Sequence, residues 1–357
     1  MAHRNRDAVS VEQLNQMQRY LGEEMIEEYQ EGHMSRREML KRLLGICGSS
    51  AAVAALLAAC GASSATQPTA AAPQPTQSPP TPAPEATAAP ATAAAAPTQA
   101  AAAPTQAASA PTAAAQPGAS PLSVAADDPA VTGKEVTFPG DTTINGYLAR
   151  PAAEGSYPGV IVIHENRGLT DHIRDVARRL AKAGYVALAP DLASRAGGTG
   201  AVGTNIQGFF ANAKPEELVS DLNAAVTFLS QQNGVKADKY GVVGFCFGGG
   251  YTLRLAATNP KIAAAVSYYG PVPDPASQIA TTNAAILGQY GANDARVNGT
   301  VPALEQAMKD SGKTFEKRVY DGAGHAFNND TGQNYNQDAA VAAWKETLNW
   351  FDKYLKA

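Results

Sequence analysis

From Ala65 to Pro117 the chain carries almost nothing but Ala, Pro, Thr and Gln, with Ser78, Glu85 and Ser109 as the exceptions. Twelve of its 24 prolines lie in this stretch. It has no large apolar side chain to bury, so it cannot offset the entropy of being ordered. The 357 residues therefore divide into an N-terminal piece, a tether and a folding remainder. We read residues 60–129 as the disordered tether, about 45 Å across as flexible coil and roughly 200 Å when stretched. Its recurring Ala-Pro-Thr-Gln pieces are low complexity and not a solenoid period. Residues 130–357 are left to build a core, the size of one large α/β domain. With 28 basic against 32 acidic side chains, the charge of −4 offers no basic surface for nucleic acid. Three cysteines cannot make a disulfide framework.

Residues 1–59 read as an address. Ser35-Arg36-Arg37-Glu38-Met39-Leu40-Lys41 resembles the bacterial twin-arginine export motif, with Met39 where phenylalanine is usual. The uncharged run from Leu43 to Ala59 is short for a membrane span. It ends in Leu57-Ala58-Ala59-Cys60, which resembles a lipobox with the Cys60 thiol as the acylation point. An uncleaved anchor helix is the alternative. Two or more acyl chains would hold the mature protein stably. That places it on the outer face of the bacterial cytoplasmic membrane or the periplasmic side of an outer membrane. Cys47 then leaves with the signal, and Cys246 is the remaining free thiol. Upstream, Leu14, Met17, Leu21, Met25 and Ile26 among acidic residues predict an amphipathic helix over 11–31. This is either a genuine extension or sequence preceding a start at Met34.

Beyond Val131 strand and helix patterns alternate. Val136–Phe138 and Ile144–Leu148 predict an edge hairpin. Gly159–Ile163 is a β-branched run suited to a strand buried on both faces. Helix 171–183, strand 185–189, helix 215–229, strand 240–245, helix 248–258, strands 263–269 and 284–290, helix 301–311, strand 315–320 and helix 338–355 follow. This alternation predicts a mostly parallel sheet with helices on both faces. Chemistry then belongs at the carboxyl ends of the strands.

Gly244-Phe245-Cys246-Phe247-Gly248 follows one such strand. Glycines two residues either side of a nucleophile allow a sharp strand-to-helix turn. The helix N-terminus there favours a thiolate, and the Phe247 amide faces a developing oxyanion. Asp294 and His325 follow two later strands. Nucleophile, acid, histidine is the chain order of an α/β-hydrolase triad. His325 would move the proton and Asp294 would orient His325. Asp274 and Asp321 also lie near strand ends, which leaves the acid the softest of the three. No metal-ligand spacing stands out, and no cofactor is expected.

These motifs, with His164-Glu165-Asn166-Arg167-Gly168, Pro190-Asp191-Leu192 leading to Arg195, and Gly324-His325-Ala326-Phe327, resemble the dienelactone hydrolase family of α/β-hydrolases over about 131–357. The resemblance implies an α/β-hydrolase fold acting on a small ester or lactone through an acyl-enzyme on Cys246. It implies that Glu165 pairs with the resting thiol and that the Asn166 amide is a second oxyanion donor. It implies substrate binding by Arg195, and a second arginine where this chain has Asn329, which puts dienelactone itself in doubt. The expected protein is a monomer. The competing readings are a non-catalytic binding lipoprotein on the same fold and a thiol sensor, the latter opposed by the lack of a resolving cysteine.

Overall fold

The computed structural model describes residues 11–61 and 120–356. Most of the proposed tether lies outside these residues. Eight strands form one sheet in the order β1-β2-β4-β3-β5-β6-β7-β8. The edge pair, β1 (Val131–Pro139) and β2 (Thr143–Pro151), is the expected hairpin, with Phe138 opposite Ile144. Next come β3 (Tyr157–Ile163), α4 (Asp171–Lys182) and β4 (Val186–Pro190). The short α5 (Thr199–Val202) and α6 (Ile206–Asn212) lead to α7 (Pro215–Ser230). β5 (Val235–Phe245), α8 (Phe247–Thr258), β6 (Ile262–Tyr268) and β7 (Ala285–Gly291) carry the chain across the sheet. α9 (Ala295–Asn298), α10 (Val301–Asp310), β8 (Phe315–Tyr320) and α11 (Gln337–Phe351) complete it.

β3 through β8 pair in parallel. The apolar run of β3 explains its central place: Val160, Ile161, Val162 and Ile163 are all fully buried. Such strands sit between two helix layers because both faces are apolar. The sheet order reverses beside β3, whose neighbours are β4 and β5. A crevice opens at such a switch point beyond the strands' carboxyl ends. Glu165 follows β3 and Cys246 follows β5, so both stand at this crevice.

The N-terminal piece is folded against the domain. It forms α1 (Gln16–Gln30), α2 (Arg36–Cys47) and α3 (Ser50–Ala59), grouped with residues 120–356 in one compact unit. α1 matches the expected amphipathic helix. Asn15 caps it by accepting from the Gln18 amide. Leu21, Met25 and Ile26 are buried, each contributing roughly 1.5–3 kcal/mol to holding the helix in place. Asn15 Nδ2 donates to the Ala211 carbonyl at 3.1 Å, and Gln16 Nε2 to the Val272 carbonyl at 2.9 Å. The uncharged run does not continue as one helix. Gly48 adopts a left-handed φ of 73°, Ser49 starts α3, and the two helices meet at 111°. Among the described residues no single helix is long and apolar enough to cross a membrane. Order also starts earlier than residue 130: the Val124 amide donates to Asp175 Oδ1 on α4 at 2.7 Å.

Candidate active site

Cys246 occupies the turn between β5 and α8 with φ 53° and ψ −122°. A non-glycine residue in this region is strained, and the surroundings must hold it there. They do so by crowding. A Cβ on Gly244 would lie 2.2 Å from the Gly248 carbonyl oxygen. One on Gly248 would lie 2.4 Å from the His164 carbonyl oxygen. The two glycines flanking the expected nucleophile are thus sterically required. The Cys246 amide donates to the Tyr268 carbonyl at 3.0 Å, fixing the turn to the next strand. Phe247 is the first residue of α8, so its amide has no carbonyl one turn earlier to bond. Among the described residues, the other non-glycine residues with positive φ are Tyr269 and Ala326, and both adjoin this site.

Asp294 and His325 meet as expected. His325 Nδ1 lies 2.6 Å from Asp294 Oδ2. The other oxygen, Asp294 Oδ1, accepts from the Val297 amide, so Asp294 also caps α9 and cannot rotate away. Asp274 and Asp321 do not enter this contact. Burial opposes charging His325, but the charge and hydrogen bond of Asp294 outweigh it and raise its pKa well above the imidazole range. Burial likewise pushes Asp294 up, while His325 and Arg296 hold it below the usual carboxylate range. His325 Nε2 is buried without a hydrogen-bond partner. An unpartnered imidazole nitrogen beside a thiol is available to take or give a proton.

The sequence did not single out what faces the thiol. Both carboxylate oxygens of Glu24, on α1, lie 3.6 Å from Cys246 Sγ. Tyr20 Oη lies 3.4 Å from the same sulfur. Glu24 Oε1 accepts from Asn166 Nδ2 at 2.7 Å and lies 4.0 Å from His325 Nε2. Cys246 is 2% exposed. Burial raises its pKa, and the Glu24 carboxylate adds to the rise. Burial also raises Glu24, against the pull of His325 and Arg296. The signal that could have pointed here was the acidic stripe Glu23, Glu24, Glu27, Glu28 and Glu31 on the predicted helix.

Glu165 is placed differently from its implied role. Its oxygens accept from Tyr269 Oη at 3.3 Å and from Asn329 Nδ2 at 2.6 Å. It lines the cavity at Cys246 and contributes to the rise of the thiol, but the carboxylate on the sulfur is Glu24. The Asn329 amide anchors Glu165 in this position. The loop bearing Asn329 is tied to α4, since Asp330 bonds His172 Nδ1 at 2.8 Å and pairs with Arg179 at 2.5 Å. Arg195 does not join the site. Its guanidinium is held by Asp221 and Asp141, each at 2.9 Å. The buried Asp221 carboxylate commands it from α7. His164 is structural: its Nε2 accepts from the Leu192 amide, so Nδ1 carries the proton to the Glu165 carbonyl.

The cavity at Cys246 measures about 280 Å³, and α1 and the Asn329 loop form much of its wall. Glu24, Cys246 and His325 present ligand atoms within 4.8 Å of one another, the group among the described residues able to hold a metal ion. The Asn166 bond to Glu24 and the Asp294 bond to His325 also fit a nucleophile, a base and an acid laid over them.

Residues 144–355 match the model of the "Dienelactone hydrolase family". A putative carboxymethylenebutenolidase of Methylorubrum extorquens is 36% identical over 254 residues, covering 67% of this chain and 87% of that protein. A probable 2-oxo-3-(5-oxofuran-2-ylidene)propanoate lactonase of Bradyrhizobium is 37% identical over 223 residues, 57% of this chain and 86% of that one. The crystal structure of a putative dienelactone hydrolase from Klebsiella pneumoniae aligns with TM-score 0.59 at 34% identity, covering 63% of this chain and all of that chain. A strained cysteine elbow at the sheet's switch point, an Asp–His pair beyond the ends of β7 and β8 and these matches agree: the chain belongs to the dienelactone hydrolase family of α/β-hydrolases.

Proposed function

We propose that this chain hydrolyses a small ester or lactone through Cys246, His325 and Asp294. The observation that carries the reading is the buried Asp294–His325 bond of 2.6 Å, which leaves Nε2 unpartnered beside the elbow cysteine. Cys246 Sγ bonds to the substrate carbonyl carbon as its proton passes to His325 Nε2. The carbonyl π electrons move to oxygen, and the amides of Phe247 and Asn166 stabilise that oxyanion. Collapse expels the alcohol, which takes the proton from His325, and leaves a thioester on Cys246. Water, deprotonated by His325, then attacks the thioester; its second tetrahedral intermediate releases the acid and restores the thiol. Asp294 keeps the His325 tautomer and stabilises its charge. Cys246→Ala and His325→Ala should each abolish p-nitrophenyl ester hydrolysis. Retention of wild-type turnover in Cys246→Ala would sink the assignment.

The address is part of the same proposal. Arg36 and Arg37 are exposed, which suits reading by an export receptor, and Cys60 follows α3 directly. The mature chain is then an acylated lipoprotein beginning at Cys60. Labelled fatty acid should enter the wild type and not Cys60→Ala. Equal labelling of both would remove the lipobox reading.

A further inference from the structure

A second cavity, of about 360 Å³, lies on the other side of Tyr20 from the thiol. Arg254 and Arg296 line it. Tyr20 lines this cavity and also reaches the thiol. Its hydroxyl lies 3.4 Å from Cys246 Sγ, and its ring lies 4.5 Å below the Arg296 guanidinium. The sulfur and the guanidinium are thus one phenol apart, which is the scale of a small ester.

Helix α1 and a substrate cannot occupy this site together. A carbonyl carbon must come within about 3–3.5 Å of the sulfur to be attacked. The Glu24 carboxylate fills that space, both oxygens at 3.6 Å. Turnover therefore requires Tyr20 and Glu24 to leave, and their departure joins the two cavities into one cleft.

That cleft contains a cation with unmet demands. Arg296 Nε donates to Glu27 Oε2 at 3.1 Å, while Nη1 and Nη2 are buried without hydrogen-bond partners. The acids that face it from α1 are Glu23, Glu24 and Glu27. From the domain there is Asp294, which is already committed to His325. When α1 leaves, Arg296 loses Glu27 and the face of Tyr20. A guanidinium presents a planar fork of donors that matches a carboxylate, and leaving it unpaired in a cleft is costly. Arg195 is held by Asp221, and position 329 is an amide, so neither takes this role. The helix meanwhile already presents a carboxylate to Arg296.

We propose that α1 stands in the substrate's place and that Arg296 anchors the carboxylate of the true substrate, a small anionic ester or lactone. The proposal rests on the hydrolase reading of Cys246. α1 lies outside the residues shared with the family model, so this plug belongs to the chain's own N-terminal segment. Under the export reading, cleavage before Cys60 removes it.

The test uses the full chain with Tyr20, Glu24 and Glu27 each changed to alanine, which frees the cleft. Two esters of equal length are compared, p-nitrophenyl valerate and p-nitrophenyl hydrogen glutarate, the second ending in a carboxylate. Freeing the cleft should raise kcat/KM for valerate about tenfold or more. Adding Arg296→Gln should then lower the ratio of kcat/KM for the glutarate ester over valerate about ten- to hundredfold. Arg296→Lys should recover part of the loss. Free glutarate should raise Tm in the open variant and not after Arg296→Gln. No gain on opening would overturn the plug. Equal losses on both esters, or a glutarate shift indifferent to Arg296, would overturn the anchor. Absence of turnover on both esters with an Arg296-dependent glutarate shift would instead sink the hydrolase reading and leave the anchor standing.

Discussion

Glu24 should govern how fast Cys246 reacts. Glu24→Gln keeps the side chain's shape and its ability to accept from Asn166, while deleting the charge. At 3.6 Å and an effective dielectric of about 20, a carboxylate opposes a thiolate by about 4–5 kcal/mol. Arg296 and His325 offset part of that field. One third of it, about 1.5 kcal/mol, corresponds to about a tenfold change in thiolate population. Alkylation by iodoacetamide at pH 7 follows the thiolate, and peptide mapping separates Cys246 from Cys47 and Cys60. We expect Glu24→Gln to speed Cys246 labelling about tenfold. Glu24→Ala should speed it more, because it also opens space. The rates at Cys47 should stay constant, since that thiol lies on α2. Equal Cys246 rates in wild type and both variants would refute the placement of Glu24 on the sulfur.

Asp294→Asn should leave the fold intact and lower kcat about 10³–10⁴-fold, because Nδ1 would lose the acceptor that sets the tautomer; steady-state kinetics with a folded control checks this. Gly244→Ala should cost about 1–3 kcal/mol or more in urea unfolding, since its Cβ would meet the Gly248 carbonyl oxygen at 2.2 Å. A cost within error would mean that the elbow is looser than described. Asp330 is held down to about 2 from 3.8: burial pushes it up, but the bond from His172 and the charge of Arg179 overcome this. A depressed carboxylate adds stability above its unfolded pKa and loses it as pH falls through the folded value. Its share, about 2 kcal/mol, should therefore fade between about pH 4 and 2. Asp330→Asn should flatten that part of the urea-midpoint profile.

The strand ends that carry Cys246, Asp294 and His325 were legible because each is a local pattern. Gly244 to Gly248 encodes its own turn, and glycines mark the other two loops, Gly291 before Asp294 and Gly322 and Gly324 before His325. The mostly parallel sheet and its antiparallel edge hairpin were legible for the same reason. Glu24 was not, because its contact with Cys246 spans 222 positions. Periodicity predicts a helix over 11–31 and shows which stripe is apolar, but it does not show what the stripe covers. Arg195 was misplaced by resemblance: its motif is present, yet the buried Asp221 on α7 captures it. Residues 192–214 resisted reading because Gly197, Gly198 and Gly203 take left-handed turns between short helices with no full apolar period.

The most direct test is to catch the acyl-enzyme. The full chain, with Tyr20→Ala and Glu24→Ala to clear the sulfur, is mixed with a p-nitrophenyl ester, quenched in acid within the first turnovers and mapped by mass spectrometry. A thioester on Cys246 is the expected result. Ester hydrolysis with Cys246 unmodified, or with the acyl group on another residue, would contradict it.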